Sequence, residues 1–243
     1  MAANHVSLPV IENAIREVCF ALDERSQHTP SWPNMTEDNL WREVVACILG
    51  SRVRFKVAYA AVERMEEMGL LCQSRRSSHF NQYEQDVIRA LSGTLPTQGP
   101  PRSRSCYPFF RIRANQIRRA AERLYSNHGS IRQFLEDTRD VREARRRLVS
   151  EVSGLGPKQA SLFLRNVGYA VRIAVLDVHV LTYMSWIGLT DSLVNAVTTV
   201  RKYETLEDAF IEHSFSFGYT PDRFDLAVWV VVKVAKEEYK AWG

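Results

Sequence analysis

The chain has 243 residues, of which 45% are hydrophobic and 25% charged, and its formal net charge is +4. This composition is typical of a soluble globular protein with one large or two small domains. No apolar run approaches the ~20 residues of a membrane span, and residues 1–5 lack the features of a signal peptide. We therefore expect a cytoplasmic protein.

Apolar residues recur at helical spacing along almost the whole chain, which predicts an all-α protein. Five amphipathic stripes precede residue 130, and Thr36 is the predicted N-cap of the second; they cover residues 11–22, 40–49, 57–68, 83–91 and 112–124. Further helices are predicted at 130–137, 140–153, 157–168, 177–188, 191–213 and 221–241. Proline and glycine indicate a linker at 28–34 and a loop at 93–105, and the β-branched run 171–175 is expected to connect two helices.

The four cysteines lie far apart, and no pair has the spacing of a zinc finger or a redox motif. We expect free thiols that are buried or half-buried. They are Cys19, Cys47, Cys72 and Cys106.

Arginines are concentrated between Arg102 and Arg119, where there are six of them and no acid. Aromatic residues, Phe109 among them, are interleaved with these arginines. That mixture indicates phosphate contact combined with base stacking, although a solvated basic face would show the same pattern. We therefore predict that Arg111 and Arg113 bind DNA. A second basic cluster at 139–147 contains two acids, and its i,i+4 charge pairing favours an ordinary exposed helix.

The segment Ser153-Gly-Leu-Gly-Pro-Lys158 predicts a tight turn between two helices. Glycines at 154 and 156 allow the backbone to approach a phosphate closely, and Leu155 can pin the turn into the core. Proline suits the first helical position because it needs no N–H partner. A plain αα-hairpin remains an alternative, because two glycines alone are a weak signal.

Lys158 and Asp177 are the candidate catalytic residues. Lys158 follows the turn on the first turn of a helix, where the helix dipole disfavours an ammonium ion and so favours the neutral amine of a nucleophilic lysine. Asp177, in Leu176-Asp-Val-His179, supplies a carboxylate and also suits a helix N-cap. We expect His179 to pack or hydrogen-bond locally, since one histidine makes no metal site.

The residues Ser153–Leu164 and Ala174–His179 resemble the helix–hairpin–helix DNA glycosylase superfamily, and are most similar to the compact prokaryotic 8-oxoguanine DNA glycosylase/AP lyases. Weaker similarity lies at Leu40–Ser51, Phe109–Ala114 and Phe224–Trp229, so that the resemblance spans about residues 36–231. It implies a two-lobed helical fold with the active site in the interdomain cleft. One domain would span 36–168 and end in the hairpin at about 140–168, and residues 1–35 and 169–243 would form the domain that carries the aspartate.

The resemblance also implies roles for individual residues. Lys158 would attack the sugar C1′ through a Schiff base, and Asp177 would stabilise the charge that develops. Phe109 and Trp229 would sandwich the extruded base, although both could equally be core aromatics. Arg52 would fill the vacated stack, although a surface arginine is the plainer interpretation. Residues Gly154, Leu155 and Gly156 would hold the DNA backbone, and hairpin carbonyls a monovalent cation.

The expected function is excision of 8-oxoguanine from duplex DNA with AP lyase activity, by a monomer associated with the prokaryotic nucleoid. No cofactor is expected, since no cysteine follows the hairpin to hold an iron–sulfur cluster. The chain continues beyond Trp229, whereas the compact enzymes end soon after the corresponding residue. A glycosylase for another modified base, such as hypermodified cytosine in phage DNA, therefore stays open, as does a non-catalytic DNA-binding module.

Overall fold

The computed structural model describes residues 7–25, 31–76, 79–95, 106–190 and 196–238. Within those ranges the chain forms α-helices, one 3-10 turn at Trp32–Asn34 and no β-strand. The helices are α1 (Leu8–Arg25), α2 (Glu37–Leu49), α3 (Phe55–Glu67), α4 (Gln73–Arg76), α5 (Phe80–Ser92), α6 (Phe110–Asn127), α7 (Ile131–Glu136), α8 (Val141–Glu151), α9 (Pro157–Asn166), α10 (Val178–Trp186), α11 (Val200–Ser216) and α12 (Pro221–Glu238). The all-α prediction is confirmed for the described residues.

Residues 30–167 form one compact unit, in which α2 packs against α3, α6, α7 and α9. Trp41 of α2 is completely buried. Its indole Nε1 donates to the hydroxyl of Tyr83 at 3.3 Å, and the ring of Tyr125 meets it edge-on with centroids 5.7 Å apart. The polar edge of a large buried ring is thus satisfied while its apolar surface fills the core.

Residues 1–29 and 168–243 form the second unit, in which α12 packs against α1, α10 and α11. Its core contains the fully buried rings of Phe210 and Phe224, whose centroids lie 5.5 Å apart. Tyr183 of α10 contacts Phe224 edge-on, and Ile15 of α1 is also fully buried. One face of each helix is therefore excluded from water, as amphipathic periodicity predicts.

Side-chain caps fix the start of several helices. The Thr36 hydroxyl accepts from the backbone N–H of Asn39 at 3.2 Å, which confirms it as the N-cap of α2. Asp140 caps α8 in the same way by accepting from the N–H of Glu143 at 2.9 Å. Each cap satisfies an amide that the first helical turn leaves without a partner.

One helix prediction differs from the structure, and one short helix has no predicted counterpart. The helix predicted at 191–213 begins only at Val200, because the β-branched residues Val197, Thr198 and Thr199 precede it in non-helical backbone. Residues 191–195, 96–105 of the predicted loop, 28–30 of the predicted linker and 239–241 of the last predicted helix lie outside the described residues. The single turn α4 has no predicted counterpart, since four residues are too short to show a period.

The cysteines are free thiols, and their burial partly follows the prediction. Cys19 and Cys47 are buried and Cys72 is half-buried, whereas Cys106 is exposed and corrects the expectation. Among the described residues, no helix combines the length and the apolar content that crossing a bilayer requires.

Helix α8 is not the ordinary exposed helix that its charge pattern favours. Arg139 does pair with Glu143 at 2.8 Å, as the spacing predicts, but Arg145 is completely buried. The guanidinium Nε of Arg145 donates to Ser161 Oγ at 2.8 Å, and that hydroxyl donates to the carbonyl of Pro157 at 3.0 Å. Because Pro157 is the first residue of α9, this chain of bonds ties α8 to the start of α9.

We expect Arg145→Ala to lower the free energy of unfolding by about 3 kcal/mol, since it leaves a cavity and removes the partner of Ser161. Urea denaturation followed by circular dichroism measures the change. Arg139→Ala, which removes an exposed arginine from the same segment, is the matched control and should change stability little. Equal losses in the two variants would show that Arg145 has no special role.

Candidate active site

The turn between α8 and α9 is built around Gly154. Its φ is +95°, and a Cβ at this position would lie 3.1 Å from Ile48 Cγ2 and 3.2 Å from both Cβ and Oε1 of Gln116. Left-handed backbone and close packing both require glycine here. Leu155 is only 4% exposed, which confirms that its side chain is buried beneath the turn.

The start of α9 has the features of an anion site. Gly156 is the N-cap in extended backbone and provides no side-chain cap, and Pro157 stands at the first helical position as predicted. The amide groups of the first turn of α9 thus have no side-chain partner among the described residues. Such amides, together with the helix dipole, bind phosphate groups.

Lys158 is half-buried in the first turn of α9, which packs against α2. Its charge acts on the buried thiol of Cys47 in α2. Burial raises the pKa of the Cys47 thiol well above its usual range, and the nearby Glu43 carboxylate raises it further, while Arg165 and Lys158 oppose the shift. Cys47 is therefore a protonated thiol, which does not compete with the Lys158 amine as a nucleophile.

The chain that leads to Asp177 is held by buried polar side chains. The backbone N–H of Ala174 donates to Glu207 Oε1 at 3.0 Å, and that of Val175 donates to Asp225 Oδ2. The hydroxyl of Tyr203 accepts from the N–H of Leu176 at 2.9 Å and donates to the carbonyl of Ala174 at 2.8 Å. The backbone of residues 174–176 pairs with no strand, and side chains of α11 and α12 form hydrogen bonds with its N–H and C=O groups instead.

Asp177 is 9% exposed and caps α10 through a single oxygen. Its Oδ1 accepts from the backbone N–H groups of His179 at 2.8 Å and Val180 at 3.0 Å. No donor among the described residues of its own unit bonds Oδ2. The cap fixes the carboxylate rigidly and leaves one oxygen for another partner.

Trp229 of α12 lies beside the start of α10. The ring of His179 meets it edge-on with centroids 6.3 Å apart, which places the histidine in the local packing role that we predict for it. The Lys233 ammonium lies 4.8 Å from the centroid of the indole ring. Trp229 is half-buried, so that part of its surface remains open to solvent.

Three of the residues predicted to contact DNA or base are exposed on the unit formed by residues 30–167. Phe109, 40% exposed, immediately precedes α6, and Arg111 is exposed on the first turn of that helix. Arg52 is exposed in the loop between α2 and α3, with a φ of +60° that non-glycine residues rarely adopt.

The prediction that Arg113 binds DNA is wrong. Arg113 is 8% exposed, and its guanidinium donates to the carbonyl of Ser51 at 2.8 Å and to Gln116 Oε1 at 2.7 Å. Arg118 is likewise paired, with Glu84 at 2.8 Å. The sequence shows no acid within 102–119, but the partners of Arg113 and Arg118 include the carbonyl of Ser51, Glu84 of α5, and Gln116 and Glu122 of α6 itself. Arg102 and Arg104 lie outside the described residues.

The sequence and the fold of this chain are similar to those of known DNA glycosylases. Residues 103–219 match the family model for 8-oxoguanine DNA glycosylase. A relative from Sulfurisphaera tokodaii, an 8-oxoguanine DNA glycosylase/AP lyase, is 29% identical over 199 residues, which cover 81% of this chain and 83% of the relative. A second such relative, from Saccharolobus solfataricus, is 26% identical over 200 residues, which cover 81% of this chain and 84% of the relative. The chain is thus similar over most of its length to 8-oxoguanine DNA glycosylase/AP lyases.

Two solved structures of 8-oxoguanine DNA glycosylases share the fold of this chain. The 8-oxoguanine DNA glycosylase of Thermotoga maritima superposes with a TM-score of 0.69 at 23% identity, covering 93% of this chain and 96% of that chain. The Methanocaldococcus jannaschii 8-oxoguanine glycosylase/lyase, solved in complex with DNA containing 8-oxoguanine, gives a TM-score of 0.68 at 21% identity, covering 91% of this chain and 96% of that chain. Helix–hairpin–helix architecture is thereby established for this chain.

Several residues that shape the candidate site carry no signal in the sequence. Arg145 lies in a run of charged residues, and Tyr203, Glu207 and Asp225 lie among ordinary helical polar residues. Each is nevertheless completely or almost completely buried. Among the described residues, no group of three histidine, cysteine or acidic side chains is placed to hold a metal ion.

We expect Gly154→Ala to lower the free energy of unfolding more than Gly69→Ala. Both glycines have positive φ, +95° and +65°, but only at Gly154 would a Cβ meet other atoms within 4 Å. The losses should be about 2 and about 1 kcal/mol respectively, because only the first adds overpacking to backbone strain. Chemical denaturation gives these values, and gel-shift titration should show weakened duplex binding for Gly154→Ala alone. Equal behaviour would mean that the packing around the turn is loose.

Proposed function

We propose that this protein is a DNA glycosylase and AP lyase that removes 8-oxoguanine from duplex DNA. The names of its relatives support this substrate and activity. The single observation that carries the proposal is a lysine on the first turn of a helix whose N-cap is a hairpin glycine without a capping side chain, in a chain that also holds a carboxylate fixed by an N-cap through one of its two oxygens. A module that only binds DNA needs neither residue.

The hairpin would hold the DNA backbone. Gly154 and Gly156 form the turn, Leu155 anchors it, and the amides of the first turn of α9, which no N-cap side chain satisfies, would donate to a phosphate. A phosphate gripped there would bring the sugar close to Lys158, which lies on the same turn of helix. The hairpin therefore supplies position rather than sequence specificity.

Lys158 would act as the nucleophile. Its neutral Nζ forms a bond to the sugar C1′ as the glycosidic bond breaks, and the base leaves with the bonding electrons and takes up a proton. Opening of the sugar ring gives a protonated imine, which acidifies the hydrogen on C2′. Loss of that proton expels the 3′-phosphate by β-elimination and nicks the strand. Covalent catalysis by an amine thus accounts for both activities.

Asp177 would stabilise the positive charge that develops on the sugar and accept the proton that the amine loses. Its Oδ1 is occupied by the cap of α10, so that Oδ2 would perform both tasks. A fixed carboxylate is more effective here than a mobile one, because it needs no reorganisation in the transition state.

Phe109 and Trp229 would stack on the extruded base and offset the free energy of flipping, which is a few kcal/mol. The partial exposure of both rings supports this role. We also propose that hairpin carbonyls bind a monovalent cation, that no other cofactor is needed, and that the protein works as a monomer on nucleoid DNA in the cytoplasm of a prokaryote.

Lys158→Gln should abolish the covalent adduct that borohydride traps between the enzyme and DNA containing 8-oxoguanine. Lys202→Gln, at an exposed position on α11, is the matched control and should trap normally. A wild-type protein that binds the duplex but forms no adduct and releases no base would leave only a binding module.

Asp177→Asn should reduce base release by about 100-fold or more, while duplex affinity and stability persist. Asparagine is as good an N-cap as aspartate, so that the variant removes the charge and keeps the helix start. Single-turnover kinetics and binding titrations separate the two effects. A parallel loss of binding and release would make Asp177 purely structural. Release of modified cytosine in preference to 8-oxoguanine would show that the substrate is a different base, and the proposed mechanism would still apply.

Duplex affinity should fall steeply with salt, and Arg111→Ala should reduce the slope of log affinity against log salt by about one. Arg111 is exposed beside Phe109, so that its charge is available to a phosphate. Arg139→Ala is the control: the guanidinium of Arg139 is paired with Glu143 at 2.8 Å, so that the slope should stay unchanged. A slope that Arg111→Ala leaves unchanged would remove this residue from the DNA interface.

A further inference from the structure

Two aromatic rings on the first turns of α3 are exposed and stacked on each other. Phe55 is 76% exposed and Tyr59 is 47% exposed, and their ring centroids lie 5.9 Å apart with an interplanar angle of 29°. They are four residues apart and therefore share one face of the helix. Single exposed apolar residues are common on protein surfaces, but a stacked pair of rings presents a flat apolar surface to the solvent.

The surroundings of this pair are basic. Arg52, Arg54 and Lys56 are all exposed, and the sequence has no acidic residue between Glu43 and Glu63. Cations next to exposed aromatic faces match the chemistry of a nucleic acid, in which phosphates flank flat bases. The charge makes a protein or apolar partner a poorer match for this surface.

The loop that carries Arg52 is fixed from beneath. The hydroxyl of Tyr107 donates to the carbonyl of Leu49 at 2.6 Å, and the guanidinium of Arg113 donates to the carbonyl of Ser51 at 2.8 Å. Tyr107 is completely buried and Arg113 almost so. Backbone held in the left-handed region at residue 52 is therefore imposed by the surrounding structure, a situation typical of functional sites.

The same buried groups connect this loop to the hairpin. Arg113 also donates to Gln116, and Gln116 and Ile48 are the residues that pack against Gly154. Ile48 lies two residues before the loop begins. The α2–α3 loop and the hairpin are thus adjacent parts of one unit, so that DNA held by the hairpin passes close to the start of α3.

We propose that Phe55 and Tyr59 form a stacking platform for a nucleobase that has lost its pairing partner, with Arg54 and Lys56 on the neighbouring phosphates. This proposal rests on the proposed function, because extruding a damaged base leaves the opposite base unpaired. The platform would restore part of the stacking energy that the opposite base loses. Because every base has a flat face that can stack on an aromatic ring, the platform would favour extrusion of the damaged base without discriminating between opposite bases.

A purely local role for the pair predicts something different. Aromatic residues at i,i+4 stabilise a helix slightly, and their removal would then affect stability but not the recognition of unpaired bases. Binding to duplexes that differ only in one unpaired base separates the two roles.

The test uses a duplex with a stable abasic-site analogue opposite 2-aminopurine, whose fluorescence is quenched on stacking, and a fully paired duplex of the same sequence. We expect the double variant Phe55→Ala/Tyr59→Ala to bind the first duplex about tenfold more weakly than the wild type and to leave 2-aminopurine bright. Its affinity for the paired duplex should change little. Tyr59→Phe should behave as the wild type, because stacking needs the ring and not the hydroxyl.

Phe20→Ala removes a ring that is 59% exposed on α1, in the other unit, and is the matched control. Thermal unfolding checks that each variant is folded, and the single variants Phe55→Ala and Tyr59→Ala keep the test valid if the double variant is not. Unchanged affinity and quenching would overturn the proposal, and so would an equal loss on both duplexes, which indicates a general backbone contact. Because this assay needs no catalysis, a wild type that quenches 2-aminopurine but releases no base would refute the glycosylase function alone.

Discussion

Buried polar side chains determine where the two helices with the proposed catalytic residues begin. At α9, Arg145 acts through Ser161 on the carbonyl of Pro157, the residue before Lys158. At α10, Tyr203 and the acids of α11 and α12 bind the backbone of residues 174–176, directly before Asp177. A polar group kept from water is costly unless it is hydrogen-bonded, so that few local arrangements are tolerated.

The two helix starts are used in opposite ways. Asp177 occupies the N-cap, where the helix dipole and two amides favour a negative charge, and one carboxylate oxygen remains open. Lys158 lies inside the first turn of α9, where the same dipole works against a cation, and the N-cap glycine leaves the amides to an anion from outside. One helix start therefore holds a carboxylate of the protein, and the other is suited to a phosphate of the DNA.

Much of the fold and part of the candidate site can be predicted from the sequence, because the features concerned are set by residues close together in the chain. Helical periodicity, the Thr36 and Asp177 caps, the proline after the hairpin and the burial of Leu155 all depend on neighbouring residues, and the structure confirms them. The late start of α11 and the burial of Arg113 and Arg145 depend on partners far along the chain. A buried arginine and an exposed one look alike in a sequence. The sequence therefore predicts that Arg113 binds DNA, whereas its guanidinium binds the backbone of the α2–α3 loop. The catalytic roles of Lys158 and Asp177 remain predictions.

The protonated state of Cys47 has a consequence for damage to the protein itself. Peroxide attacks thiolates that solvent can reach, and Cys47 offers neither the charge nor the access. Cys106, exposed just before α6, is the thiol that an oxidant meets first. Under the oxidising conditions that create lesions in DNA, the core next to Lys158 would thus stay chemically intact while a thiol outside it is modified.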